Sequence, residues 1–188
     1  MADGMTDKAD KADKTEAPDS DEPTSEPAKN FLSDESALQS AQAQLEELDK
    51  FQGKSIQVFQ AAHFYQDGRI IIKLQDPGAL ENVDEYTYQG GEWLKPVPVR
   101  LTGDGAMEDN VTPLKDMQFA TIANIFGTWS EKAKTVEGAE EKEMTHAYVN
   151  INPVTAKRRW FCDAIEGTRA EYQIFFNLDG SLETYEKR

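Results

Sequence analysis

Apolar residues along this chain recur at two spacings, three-to-four and two, and each switch between them marks a change of element. Leu38, Ala41, Leu45 and Leu48 repeat at helical spacing behind Ser33 as N-cap, with Asp34 and Glu35 in the first turn and Gly53 as the stop. The apolar stripe is narrow, so this helix needs a sheet to lie on. Period-two patterns follow over residues 55–65, 69–75, 83–88 and 92–99, punctuated by Asp67-Gly68, Asp76-Pro77-Gly78 and Gly90-Gly91. The glycine pair suits a two-residue hairpin loop, because both positions tolerate positive φ. Pro96 and Pro98 cannot donate to a ladder, so the 92–99 strand should be an edge. Residues 102–110 read as a loop. A second helix is then expected from Thr112 as N-cap and Pro113 as its first residue, ending near Gly138. Its Leu114, Ile122, Ile125, Phe126, Trp129 and Ala133 share one broad face. Four further strand patterns cover 144–152, 157–165, 169–177 and 182–186.

The element order therefore reads helix then four strands, twice. The expected fold class is α+β, in two tandem units over 31–101 and 112–188, each one helix packed on a four-stranded antiparallel meander. Units of this size bury too little alone, so they should share a core or join sheets. A three-residue loop at Glu166-Gly167-Thr168 would pair Ala164 with Ala170, Cys162 with Tyr172 and Trp160 with Ile174, all facing the second helix. The opposite face would carry Lys157, Arg159, Phe161, Asp163, Arg169, Glu171, Gln173 and Phe175, with Arg159 across from Phe175 and Phe161 across from Gln173. Two phenylalanines among paired charges are unusual on a solvated sheet, and either the other half of the molecule or a partner must cover them. In the first unit a three-residue turn at Gln66-Asp67-Gly68 puts Ile56, Val58, Ala62, Phe64, Ile70, Ile72 and Leu74 on one face. Phe59, His63, Tyr65 and Ile71 then fall on the other.

Charge and composition narrow the function. The 188 residues carry 35 Asp+Glu against 20 Lys+Arg, a formal −15. Residues 1–30 hold nine acids, four lysines, three prolines and no aromatic residue, the composition of a disordered acidic tether. That leaves −10 on the remainder, which opposes binding to phosphate backbones, so nucleic acid is not an expected partner. No stretch reaches the roughly 18–20 apolar residues of a membrane span, and the start has no apolar core of a secretion signal. One Cys excludes an internal disulfide and a multi-cysteine zinc cage.

Chemistry has no signature here: no GxSxG, HExxH, Walker loop or GxGxxG is present. Cys162 lies inside an apolar alternation, where a thiol is a small core residue, and His63 and His146 read as structural or solvent-facing. The acidic loop 104–110 lacks the ligand spacing of an EF-hand. No catalytic residue, cofactor or metal is expected.

The repeated helix-plus-meander order resembles the tandem units of beta-lactamase-inhibitor-protein-like and PepSY-like periplasmic proteins, over roughly residues 33–186. The leader also looks like the tether of a bacterial lipoprotein, although no lipobox or lipidated Cys stands in this sequence, so membrane attachment would need a lipid anchor outside it. These resemblances imply a non-enzymatic, monomeric cell-envelope protein, periplasmic or anchored to the outer membrane. The strand alternation, independently of the resemblance, points to recognition of a protein partner through a sheet face containing Arg159, Phe161, Gln173 and Phe175. Three alternatives stand beside it. One is a small-ligand carrier whose cavity is lined by Trp93, Trp129, Trp160, Tyr86 and Tyr88; a second is an enzyme of unrecognised type, which would need a deep pocket holding His63 or His146 beside two or more carboxylates; the third is a cytosolic acidic adaptor, which a lone Cys suits equally well.

Overall fold

The computed structural model describes residues 29–188 apart from 104, 152–154 and 156. Residues 1–28 of the expected tether, Asp104 of the acidic loop and the connection at 152–154 lie outside the described residues. The ordered fold already includes Asn30, whose side-chain oxygen accepts from Leu32 N–H at 3.0 Å while its amide donates to the Met144 carbonyl.

Helix α1 spans Glu35–Glu46. Its N-cap is Asp34 rather than Ser33: the Asp34 carboxylate accepts from Ala37 N–H at 3.1 Å, and the Ser33 hydroxyl is spent on the Asn30 carbonyl in a preceding single 3₁₀ turn. That backbone hydrogen bond, together with Lys29, holds the Asp34 carboxyl below its ordinary value. Strands β1 (Gln57–Tyr65), β2 (Ile70–Asp76) and β3 (Ala79–Gln89) follow as a meander. β4 (Glu92–Trp93) and β5 (Val97–Pro98) both pair with β3. The break between them falls at Pro96, which has no N–H for a ladder. Gly90 and Gly91 form the two-residue hairpin loop with φ of 65° and 90°.

The second helix starts later than Thr112 and Pro113 suggest. Val111–Pro113 is strand β6, paired with β1 through Thr112 opposite Val58. Thr112 is buried, and its hydroxyl accepts from Arg158 Nε at 2.6 Å, so it is unavailable as a cap. Helix α2 spans Thr121–Ala133 and has no side-chain cap; its first N–H groups are taken by tight bonds such as Ile122 N–H to the Phe119 carbonyl. The remaining strands are β7 (His146–Ile151), β8 (Arg158–Cys162), β9 (Ile165–Glu166), β10 (Glu171–Phe176) and β11 (Leu182–Lys187).

All pairings are antiparallel and belong to one 11-stranded sheet, whose main path runs β11-β10-β8-β7-β1-β2-β3-β4. The chain is thus α+β, mostly antiparallel sheet, with two α-helices on one face among the described residues. One continuous core joins both helices to that face. Leu38, Ala41 and Leu45 of α1 and Ile122, Ile125 and Trp129 of α2 share it with Ala62, Phe64, Ile72, Val149, Trp160, Ile174 and Phe176. Polar ties fix the layers. Trp93 Nε1 donates to the Ala41 carbonyl at 2.9 Å, Trp129 Nε1 to the Asp163 carbonyl at 2.8 Å, and Gln42 Oε1 accepts from Phe119 N–H at 2.8 Å.

The register of the β8–β10 hairpin departs from the expected one. Phe161 stands opposite Phe175 and Trp160 opposite Phe176, while Ile165 and Glu166 pair with Tyr172 and Glu171. Residues 167–170 make a longer loop, with Gly167 N–H bonded to the Ala170 carbonyl. An irregularity at Asp163 and Ala164 separates β8 from β9, and it turns Ile165 rather than Ala164 into the core.

Candidate interaction surface

On the face away from the helices, strand pairing assembles a row of rings from distant parts of the sequence. β1 against β7 sets His63 opposite Tyr148 and Tyr65 opposite His146; β7 against β8 sets Tyr148 opposite Phe161; β8 against β10 adds Phe175. Tyr65 stacks on His146 at 4.6 Å, His63 on Tyr148 at 5.2 Å and Tyr148 on Phe161 at 4.9 Å, and Phe161 meets Phe175 edge-on at 5.3 Å. A guanidinium stands at each end. Arg69 lies over Tyr65 at 4.3 Å, while Arg159 lies over Phe175 at 4.1 Å and over Phe161 at 4.9 Å. All six rings are half-buried and stand apart from the helix-side core.

All four residues expected at the site lie on this face. Arg159, Phe161 and Phe175 form one contact group, held by ring geometry and by the Arg159–Glu183 ion pair at 3.6 Å. Lys157 pairs with the same glutamate. Gln173 sits beside the group on β10 and, with its amide oxygen turned toward Arg188, accepts from that guanidinium, which also pairs with Glu171 at 2.5 Å. Where β8 and β10 part at the irregularity, Tyr148, Phe161, Cys162, Gln173, Ile174, Phe175 and Arg188 help to line a cleft of about 270 Å³. That volume holds one large side chain and falls short of the roughly 300–1,000 Å³ of small-molecule pockets.

His63 and His146 are the chain's two histidines, and His63 Nδ1 lies 3.1 Å from His146 Nε2. Burial holds both imidazoles below their ordinary value, with Lys73 adding to the effect on His63, and His63 to that on His146. Asp163 fixes the position of His146. Its Oδ2 accepts from Thr145 N–H at 2.6 Å, from the Thr145 hydroxyl at 2.8 Å and from His146 N–H at 3.1 Å.

The sequence pattern puts His63 and Tyr65 on the open side, but it does not bring His146, Tyr148 and Arg69 to the site. For His146 and Tyr148 membership depends on the pairing of β1 with β7, for which no local signal exists, whereas Arg69 reaches Tyr65 within the β1–β2 hairpin. Phe59, expected on the same side, is buried where β1 pairs with β6. The cavity expected from aromatic residues is filled by them: Trp129, Trp160, Tyr86 and Tyr88 belong to the core, and Trp93 packs on it. Cys162 donates weakly to the Ile174 carbonyl at 3.9 Å, and burial pushes its thiol pKa up, away from the reactive thiolate. Among the described residues no three His, Cys, Asp or Glu side chains cluster as metal ligands, and no helix is long and apolar enough to cross a membrane. No protein-family model, curated protein or solved structure matches the chain.

Proposed function

We propose that this chain is a non-enzymatic binding protein that recognises a protein partner through its helix-free sheet face, with Phe161, Phe175 and Arg159 as anchors and Gln173 at the rim. The observation that carries the reading is the ring row itself. Six half-exposed aromatic residues, capped by two arginines and separate from the core, are costly to leave in water and have the composition of interaction hot spots. Charge at the rim is paired: Arg159 meets Glu183, Arg188 meets Glu171, and Lys73 stands across from Glu85.

The architecture we favour is a pair of tandem helix-plus-meander units. Its support is the sheet order, in which β4-β3-β2-β1 after α1 meets β7-β8-β10-β11 after α2. The cell-envelope setting rests on the resemblance and on leader composition.

The double substitution Phe161→Ser, Phe175→Ser tests the reading. Its melting temperature should stay within a few degrees of the parent, because neither ring is part of the helix-side core. Crosslinking of the full chain in envelope extracts, quantified by mass spectrometry, should show a partner that the double variant loses and a helix-face surface variant keeps. A melting temperature lowered by ten degrees or more, or identical capture by both variants, defeats the proposal.

A further inference from the structure

The chain's two histidines lie 83 positions apart in sequence, yet β1 and β7 bring them to the same face with ring nitrogens 3.1 Å apart. The rings are not free to drift. His63 stacks on Tyr148, and His146 lies between Tyr65 at 4.6 Å and Tyr148 at 5.1 Å. Backbone pairing sets the strands, and Asp163 ties down the first residues of β7. Both side chains remain partly open to solvent. In the empty pair this contact is a ring-to-ring hydrogen bond between nearly parallel imidazoles, 4° apart in plane. Two metal–nitrogen bonds of about 2.0–2.1 Å meeting at about 100° also span about 3.1 Å, so one ion can take both nitrogens without the strands moving.

We infer that His63 and His146 form a binding site for a single divalent transition-metal ion on the open face, with two imidazole ligands from the protein and water in the remaining positions. Among the described residues no third His, Cys, Asp or Glu completes a cage, and Asp163 Oδ2 is already engaged by three donors. The site is therefore an open chelate. Two neutral nitrogen donors without a hard oxygen cage select Cu²⁺, Ni²⁺ or Zn²⁺ over Mg²⁺ or Ca²⁺, and the affinity order of such ions puts Cu²⁺ first.

Binding balances without a net change in protonation. In the empty pair one ring donates its N–H to the other. When the ion enters, the donor ring changes tautomer, its proton passes through solvent to its far nitrogen, and both facing lone pairs turn onto the metal. Stacking on Tyr65 and Tyr148 opposes tilting of the imidazoles out of their planes and leaves the small in-plane turn that this step needs. The metal lies next to the Tyr148–Phe161 contact, so the site belongs to the same surface as the anchors, but its existence does not depend on their having a partner.

The experiment titrates the full chain with CuCl₂ in a weakly coordinating buffer at pH 7 by calorimetry, alongside His63→Gln and His146→Gln. Electron paramagnetic resonance of the loaded parent provides a second readout. The parent should bind one Cu²⁺ at the pair with two imidazole nitrogens in its spectrum, and each single variant should lose about tenfold or more in affinity for that ion. Binding unchanged in both variants would place the ion on the acidic leader or the amino terminus and overturn the inference. So would a parent spectrum with one imidazole or none, which decides the matter even where a variant folds poorly.

Discussion

A single methyl group tests how closely the segment after α2 approaches the β9–β10 loop. A Cβ added at Gly167 would lie 2.5 Å from the Glu137 carbonyl oxygen and 2.5 Å from a Val136 methyl, and the backbone here is locked by Thr168 N–H on the Glu137 carbonyl at 2.7 Å. Gly167→Ala should cost about 1–3 kcal/mol in urea unfolding, because backbone must move to admit it. The histidine pair tests a different residue-scale effect. Both imidazoles titrate below their ordinary 6.5 in the folded chain, so the unfolded chain binds more protons between the folded values and 6.5. Their contribution is present in full above about pH 6.5 and is lost as pH falls through the folded values. Melting temperatures in a chelator-containing buffer should therefore fall from pH 7 to pH 5, and the double variant His63→Gln, His146→Gln should show a flatter profile. Parallel profiles for the two proteins would mean that the pair contributes nothing to the acid response.

At the scale of elements, local chemistry decides what a sequence shows. The β1–β2 hairpin is legible because Asp67-Gly68 fixes its turn: Gly68 takes φ of 89°, and the expected apolar set from Ile56 to Leu74 is the buried set. Even the irregularity at Gln60 leaves that face intact, since four steps from Val58 to Ala62 span the two from Leu74 to Ile72 and parity is kept. Thr112-Pro113 was ambiguous for a physical reason. The pair that starts a helix equally well ends an edge strand, and the buried Arg158 contact selects the strand. The β8–β10 register was illegible because nothing in Asp163-Ala164 announces an irregularity. Its structural cause lies elsewhere, in the Trp129 indole that takes the Asp163 carbonyl and the Thr145 and His146 N–H groups, at the start of β7, that take its carboxylate. Asp163→Ala should leave three donors without their acceptor and cost about 1–3 kcal/mol. Because β7 then loses its anchor, the variant should also displace the His146 resonances in NMR spectra, whereas a loss confined to stability would show that Asp163 does not position the ring row.

For the whole molecule, the seam between β1 and β7 matters most, and it is the feature least visible in the sequence. Hydrophobic period and turn chemistry report neighbours a few residues apart, whereas this seam pairs residues such as His63 and Tyr148 across the intervening helix. Its consequence is a core that neither part of the chain owns. Phe64 of β1 packs edge-on against Phe119 at 4.8 Å and against Trp160 of β8 at 5.7 Å, and β1 takes hydrogen-bonded partners from both β6 and β7. A fragment of residues 29–101 would expose Phe64 and leave one edge of β1 without its ladder. A fragment of residues 111–188 would expose Phe119 and Trp160 and strip the outer edge of β7. Each piece would lose more buried apolar surface than a unit of that size can spare. The described chain should therefore melt in one cooperative transition. Each fragment alone should give a disordered far-UV circular dichroism spectrum without a thermal midpoint, and the two mixed should regain part of the parent signal. A fragment with its own sharp melting transition would show that the core divides at the seam. The face on which the ring row sits would then be a junction between two independent domains instead of one continuous surface.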